Sequence, residues 1–114
     1  LETVMAEKIE TVLARNVATT RIRDFYDIYE LWRVRGHAVH TRTLAQALAA
    51  TCKKRNSWEA VERRGEIIDD MREDAGLRQQ WQTYASKHSY AASLSFEGTL
   101  DAVREVMESI TPFL

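Results

Sequence analysis

The chain has 114 residues and a mass of 13.2 kDa, the size of one domain that can bury its own core. Sixteen Lys and Arg residues oppose seventeen Asp and Glu residues, and the formal net charge of -1 excludes recruitment of nucleic acid or anionic lipid by a global positive field. With 45% hydrophobic and 29% charged residues, and few Gly and Pro, the composition excludes a disordered chain and favours long helices.

The single cysteine and the hydropathy of the chain indicate the compartment in which the protein works. Cys52 is the only cysteine, so an internal disulfide is excluded and a reducing compartment, the cytoplasm, is expected. The longest weakly polar run, residues 44–50, is far shorter than the ~20 apolar residues of a membrane span. Leu1 stands where an initiator Met is expected, inside a helical pattern. We therefore expect residues 1–114 to be a single helical domain cut from a longer protein.

Apolar residues at helical spacing predict three helices in the first half of the chain. The first begins at Leu1, and Thr20 is placed to cap the second, which should end near Gly36. A third helix, capped by Thr41 or Thr43, follows. The apolar stripes of these helices contain Leu1, Met5, Ile9, Val12, Leu13, Ile22, Phe25, Tyr26, Ile28, Tyr29, Leu31, Trp32, Val34, Leu44, Ala45, Ala47, Leu48 and Cys52.

The second half of the chain predicts two or three more helices. Ser57 is placed to cap a segment that Gly65 interrupts, and a helix through Leu77 follows. Ser95 is placed to cap the last helix, which Pro112 ends. Nothing alternates at the period of a strand. The sequence therefore predicts an all-α fold, a compact bundle of five or six helices with the second helix at its centre.

Residues 21–29, Arg-Ile-Arg-Asp-Phe-Tyr-Asp-Ile-Tyr, place two carboxylates and two guanidinium groups on that apolar second helix. Charges on a buried helix must be paired or used. Asp24 and Asp27 are three residues apart and share one face, and Arg23 lies four residues before Asp27. Adjacent carboxylates repel in low-dielectric surroundings unless a cation or a shared proton relieves them. Lys8, at the margin of the first helix, would reach them if the two helices pack together.

These residues form a recognisable series: an Ala-Glu-Lys helix, a loop with a Thr-Arg pair, and an Arg-x-x-Asp-x-x-Asp helix, matched by Lys8, Arg21, Asp24 and Asp27. The series resembles the C-terminal region of the AbiEii family of nucleotidyltransferases, toxins of bacterial type IV toxin-antitoxin and abortive-infection systems. The later segments Trp81-Gln82-Thr83-Tyr84 and Phe96-Glu97-Gly98-Thr99-Leu100 also resemble that family. The resemblance covers most of the chain.

The resemblance implies an N-terminal nucleotidyltransferase domain, with a Gly-Ser and paired-Asp metal motif, ahead of this helical region. No Gly-Ser dipeptide followed by Asp-x-Asp occurs in residues 1–114, so we expect the chain alone to be inactive. Mg²⁺ and a nucleoside triphosphate would act in the longer protein, with an antitoxin and an RNA acceptor as partners. By resemblance, Lys8 and Arg21 bind the nucleotide, and Asp24 or Asp27 acts as a base or orients the catalytic groups.

Two alternatives explain the same charges without catalysis. Asp24 and Asp27 can pair with Arg21, Arg23 or Lys8 and only lock helices together. The chain can also be a non-catalytic interaction module, whose exposed apolar helix face binds the antitoxin or a second subunit.

Two further patterns involve histidines. Arg35 and His40 have the Arg-x4-His spacing that resembles the motif of HEPN ribonucleases, which are all-α enzymes. That motif needs a rigid helix start, whereas these residues fall in a predicted turn. A zinc site would have to combine His37, His40, Cys52 and His88 from dissimilar spacings, so solvated turn histidines are expected instead.

Basic and aromatic residues give the remaining hypotheses. Lys53-Lys54-Arg55 and Arg63-Arg64 would suit the phosphates of an RNA acceptor, although cations at helix ends are also favoured by the helix dipole. Four aromatic residues recur at helical spacing and are predicted to lie in the core rather than to stack on bases. They are Trp58, Trp81, Tyr84 and Phe96.

Overall fold

A computed structural model describes all 114 residues and contains helices and turns only, which confirms the all-α prediction. Four 3-10 turns and one π-helical turn connect or extend seven α-helices. The helices are α1 (Glu2–Arg15), α2 (Arg23–Tyr29), α3 (Thr41–Arg55), α4 (Trp58–Glu62), α5 (Arg64–Glu73), α6 (Ala75–Lys87) and α7 (Phe96–Ile110).

The count of seven corrects the predicted five or six helices. The segment after Ser57 divides at Arg63 into α4 and α5, whereas Gly65, the predicted break, lies inside α5. The start of α6 is set by Asp74, whose side chain accepts the Leu77 N–H at 2.8 Å. A single glycine is tolerated in a helix that packing already stabilises, so it was a weaker stop signal than expected.

Of the predicted caps, only the last is confirmed as a side-chain cap. Ser95 Oγ accepts the Gly98 N–H at 3.0 Å and begins α7. Neither Thr20 nor Ser57 caps a helix through its side chain. The same holds at the start of α3, where the Glu2 carboxylate instead accepts the His40 N–H at 2.9 Å. A tertiary contact there replaces the predicted local cap.

The second helix is shorter and less central than predicted. α2 ends at Tyr29 and continues as a π-helical turn over Glu30–Val34, where Val34 is 62% exposed. α7 packs against α2, α3, α5 and α6, and α1 packs against α2, α3, α4 and α5. α1 and α7 are therefore the central helices. α2 contacts these two with its buried stripe, which leaves its polar side turned outward.

The core forms one continuous cluster and contains most of the predicted stripes of the first three helices, but Leu1 and Val34 are exposed. The side chains with the least exposure include Met5, Ile9, Leu13, Phe25, Ile28, Leu44, Leu48, Ile68, Met71, Leu77, Leu100 and Ile110. The prediction that Trp58 lies in the core is wrong, because this residue is 39% exposed. None of the helices combines the length and the hydropathy needed to cross a bilayer.

Candidate functional site

The packing of α1 on α2 brings Lys8 to both aspartates. Lys8 Nζ lies 2.9 Å from Asp27 Oδ2 and 3.5 Å from Asp24 Oδ1. The Asp24 side chain is only 4% exposed, whereas Asp27 and Lys8 retain partial access to solvent. The three residues meet as the sequence predicted, since Asp24 and Asp27 share one face of α2 and Lys8 borders the apolar face of α1. Their chemical roles stay predictions.

Two arginines complete the charge cluster. Arg21 Nε lies 3.1 Å from Asp24 Oδ2, and Arg23 Nε lies 3.5 Å from Asp27 Oδ1, the i, i+4 pair predicted from the sequence. The charge of Asp27 raises the pKa of Arg23, so the guanidinium remains charged. Three cations thus surround two carboxylates. The cluster carries one positive charge in excess, although the chain as a whole is slightly negative.

One oxygen of the buried aspartate lacks a hydrogen bond. Asp24 Oδ2 is inaccessible to solvent and accepts no hydrogen bond, because Arg21 Nε lies close to it without the alignment that a bond requires. Asp24 Oδ1 is the oxygen that faces Lys8. A buried acceptor left unsatisfied destabilises a fold by about 1–3 kcal/mol. Asp24 Oδ2 is therefore held by the charge of Arg21 alone.

The cluster lies on one wall of a groove of about 750 Å³. The opposite wall is the polar face of α6, which sequence reasoning missed because that face is indistinguishable in the sequence from a solvated one. Lys87 adds a further cation to this wall. The lining residues are Lys8, Thr20, Arg21, Ile22, Arg23, Asp24 and Asp27 on one side, and Gln79, Gln80, Thr83, Tyr84, Lys87 and His88 on the other.

The Tyr84 and His88 rings line this groove, and the Tyr90 and Tyr26 rings continue the aromatic contacts from them; these four rings are called the aromatic rim. The Tyr84 and His88 rings have centroids 4.4 Å apart, and the Tyr90 ring lies 5.3 Å from His88 and 4.7 Å from Tyr26 of α2. The Tyr84 and Tyr90 hydroxyls share a hydrogen bond of 2.6 Å. Burial and then this hydrogen bond raise the pKa of Tyr84, so the phenol remains neutral.

A family model described as "Nucleotidyl transferase AbiEii toxin, Type IV TA system" matches residues 1–108, nearly the whole chain. The chain belongs to the AbiEii nucleotidyl transferase toxin family. Every residue of the lysine-aspartate cluster and of the groove lies inside the matched region. No curated protein and no solved structure gives a significant match.

Nucleotidyl transfer of the AbiEii type implies Mg²⁺, but the carboxylates of this chain do not fit a Mg²⁺ site of their own. Asp24 and Asp27 are each already held by two cationic side chains. No three His, Cys, Asp or Glu side chains come together anywhere in residues 1–114. Mg²⁺ requires several oxygen ligands in near-octahedral geometry. Asp24 and Asp27 therefore do not form a Mg²⁺ site by themselves.

The zinc hypothesis is wrong for the same geometric reason. His37, His40, Cys52 and His88 do not come together. Cys52 is buried in the core and His88 is stacked on Tyr84. Burial also raises the pKa of the Cys52 thiol, which disfavours the thiolate that zinc binds.

The HEPN-like pair receives no support from the geometry. Arg35 ends the π-helical turn and lies 3.9 Å from Glu30, while His40 is exposed just before α3. A 3-10 turn over Gly36–Ala38 separates them, and neither residue lines one of the larger cavities.

Most side chains of the two basic clusters, 53–55 and 63–64, form hydrogen bonds within the fold. Arg55 Nη1 donates to Glu10 at 2.6 Å, and Arg63 Nη2 donates to Glu66 at 3.0 Å. Arg64 donates to the Val61 carbonyl and to Thr111. Only Lys53 and Lys54 are exposed without such a partner.

Proposed function

We propose that this chain is the C-terminal helical part of an AbiEii-type nucleotidyltransferase, and that it completes the nucleotide and acceptor site of an N-terminal catalytic domain. The observation that carries the proposal is the bridge of Lys8 between Asp24 and Asp27 on the wall of the groove. The groove gives a ligand access to Lys8 and to both arginines of the cluster. A cluster that handles a ligand requires such an opening.

Lys8 and Arg21 are the proposed triphosphate ligands. The Lys8 ammonium is a mobile point charge on a flexible stem, so it can turn from Asp27 towards a phosphate oxygen without a change in the backbone. The Arg21 side chain is about half exposed and reaches the same groove. The excess positive charge of the cluster favours an anionic ligand there. Nucleotidyl transfer depends largely on such positioning and charge compensation.

Asp24 is the proposed carboxylate for the acceptor. Its Oδ2 atom has no hydrogen-bond donor, and a movement of the half-exposed Arg21 side chain would open this oxygen to an acceptor hydroxyl, which Asp24 would orient or deprotonate. Asp27 accepts the shorter bond from Lys8 and would position that lysine. Mg²⁺, when bound in the longer protein, would compensate charge on the triphosphate. We expect the chain alone to be inactive, because it does not assemble a metal site.

The partners and the setting follow from the family and are part of the same proposal. We propose an antitoxin protein as a partner, an RNA as the acceptor and the cytoplasm as the compartment. The alternative of a pure interaction module has less support. The only large hydrophobic residues of its predicted docking face on α1 that are exposed are Leu1 and Val4, at the very start of the chain.

The proposal is tested with Lys8→Ala in the intact protein. The matched control is Lys53→Ala, which removes an exposed lysine from the end of α3. The measurement is the initial rate of labelled nucleotide transfer, with circular dichroism to check the fold. We expect Lys8→Ala to lower the rate by about 100-fold or more and the control to retain it. Full activity in a folded Lys8→Ala protein contradicts the proposal.

A further inference from the structure

The rings at the rim of the groove form one connected aromatic cluster that the proposed chemistry does not use. Tyr90 is 49% exposed, yet it is held in place by contacts on two sides. Its ring packs 4.7 Å from Tyr26, and its hydroxyl is bonded to that of Tyr84. Ala91, the next residue, is fully buried and fixes the 3-10 turn that carries Tyr90. The cluster is therefore a fixed apolar surface turned towards solvent.

This surface is continuous with the charged cluster. Tyr84 and His88 line the same groove as Lys8 and Asp24. Tyr26 lies on α2 between the two aspartates, so the backbone segment that positions the carboxylates also positions the aromatic rim. A ligand that reaches from the lysine to the rim must therefore have an anionic end and a flat aromatic end.

The aromatic rim differs from the neighbouring Trp81, which is an ordinary core residue. Trp81 is buried, and its Nε1 donates to the Leu94 carbonyl at 2.9 Å. The Tyr84 and Tyr90 hydroxyls instead share one hydrogen bond, and the 49% exposure of Tyr90 leaves part of this residue open to a ligand.

We propose that Tyr90, together with His88 and Tyr84, is a stacking platform for a nucleobase at the rim of the groove. This proposal rests on the proposed function, in which Lys8 and Arg21 hold the phosphates. Base stacking on aromatic side chains tolerates any base, because every base has a flat π-face. Gln79 and Gln80 on the same wall of α6 carry amides, which can donate and accept hydrogen bonds at the edge of a base.

The platform is tested by binding rather than by transfer. Isothermal titration calorimetry on the intact protein compares Tyr90→Leu with Tyr90→Phe, which keeps the ring and loses only the hydroxyl. The probes are ATP, CTP, GTP and UTP, taken one at a time, and inorganic tripolyphosphate, which has no base. We expect Tyr90→Leu to raise the Kd of a bound nucleotide about 5- to 100-fold and to leave that of tripolyphosphate unchanged. Tyr90→Phe should stay within about twofold of the parent.

A second titration tests whether the stacked base belongs to the donor nucleotide or to the RNA acceptor. A single-stranded oligoribonucleotide of five residues is titrated into the same variants. A loss of affinity confined to the free nucleotide assigns the platform to the donor, and a loss confined to the oligonucleotide assigns it to the acceptor. Unchanged affinity for both ligands in a folded Tyr90→Leu protein overturns the proposal. If that variant does not fold, His88→Leu takes its place under the same criteria.

Titration of Lys8→Ala with the same probes distinguishes the stacking platform from the proposed phosphate-binding role of Lys8. If Lys8 holds phosphates, this variant weakens both nucleotide and tripolyphosphate. If it weakens neither while Tyr90→Leu weakens the nucleotide, the platform stands and the role of Lys8 fails. If Lys8→Ala weakens both ligands while Tyr90→Leu weakens none, the platform fails and the role of Lys8 stands.

Discussion

α1 makes two acid-base contacts, one with α2 and one with α3, and they differ in how the charges are shared. Towards α2, Lys8 is shared between Asp24 and Asp27. Towards α3, Glu10 accepts one bond of 2.6 Å from Arg55, and its side chain is only 6% exposed. That hydrogen bond raises the pKa of Arg55. Both contacts join helices that are distant in the sequence, and both bury a carboxylate.

The two contacts differ in whether a buried carboxylate oxygen lacks a hydrogen-bond donor and in whether the contact lies beside the groove. Glu10 has a single guanidinium partner with a well-formed bond, and it does not line the groove. Asp24 retains a buried oxygen without a donor, and its lysine is divided between two acids beside an open groove. A buried ion pair alone is thus poor evidence for function. A lysine shared by two acids on the wall of a groove is better evidence, because a ligand can contact that lysine there.

The largest loss of nucleotide transfer is expected on substitution of the two aspartates. Asp24→Asn keeps the shape of the side chain and removes the basic oxygen, so nucleotide transfer by the intact protein should fall about 100-fold or more. Asp27→Asn should cost about tenfold, because it disturbs only the position of Lys8. Initial-rate kinetics of the two variants provide the measurement. The opposite ranking would assign the acceptor role to Asp27.

An intermediate effect, on stability alone, is expected at the other contact. Glu10→Ala removes the hydrogen bond to Arg55 and should lower the free energy of unfolding by about 1–2 kcal/mol. Urea titration measures this change, and Glu59→Ala on the exposed side of α4 is the control. Nucleotide transfer at saturating substrate should be unaffected. A loss of transfer as large as that of Asp24→Asn would remove the distinction between the two sides of α1.

The smallest effect concerns a third contact of α1, at its first turn. The hydrogen bond from the His40 N–H lowers the pKa of Glu2 below its ordinary value of 4.5. The ionised carboxylate therefore stabilises the fold above about pH 4.5, and this contribution is lost as the pH falls through the lowered pKa. Glu2→Gln should show a slightly lower melting temperature at pH 7 and a smaller difference from the parent at pH 3. Equal differences at both pH values would contradict this account.

Local patterns along the chain were enough to predict the helical class and much of the charge cluster. Apolar spacing identified buried residues such as Ile9, Phe25 and Leu48, and the i, i+3 and i, i+4 relations placed Asp24, Asp27 and Arg23 together. These features are local, because a helix repeats every 3.6 residues whatever it packs against. The family resemblance, also carried by local motifs, was confirmed over residues 1–108.

Which helix faces meet could not be predicted and became known from the packing of the helices. It made α1 and α7 central rather than the second helix, exposed Trp58, and turned the polar face of α6 towards Lys8. It also left Asp24 Oδ2 without a donor, although Arg21 is only three residues away. These outcomes depend on the distance and angle between helices that are far apart in the chain. Side-chain packing sets those quantities, and the pattern within any one helix does not contain them.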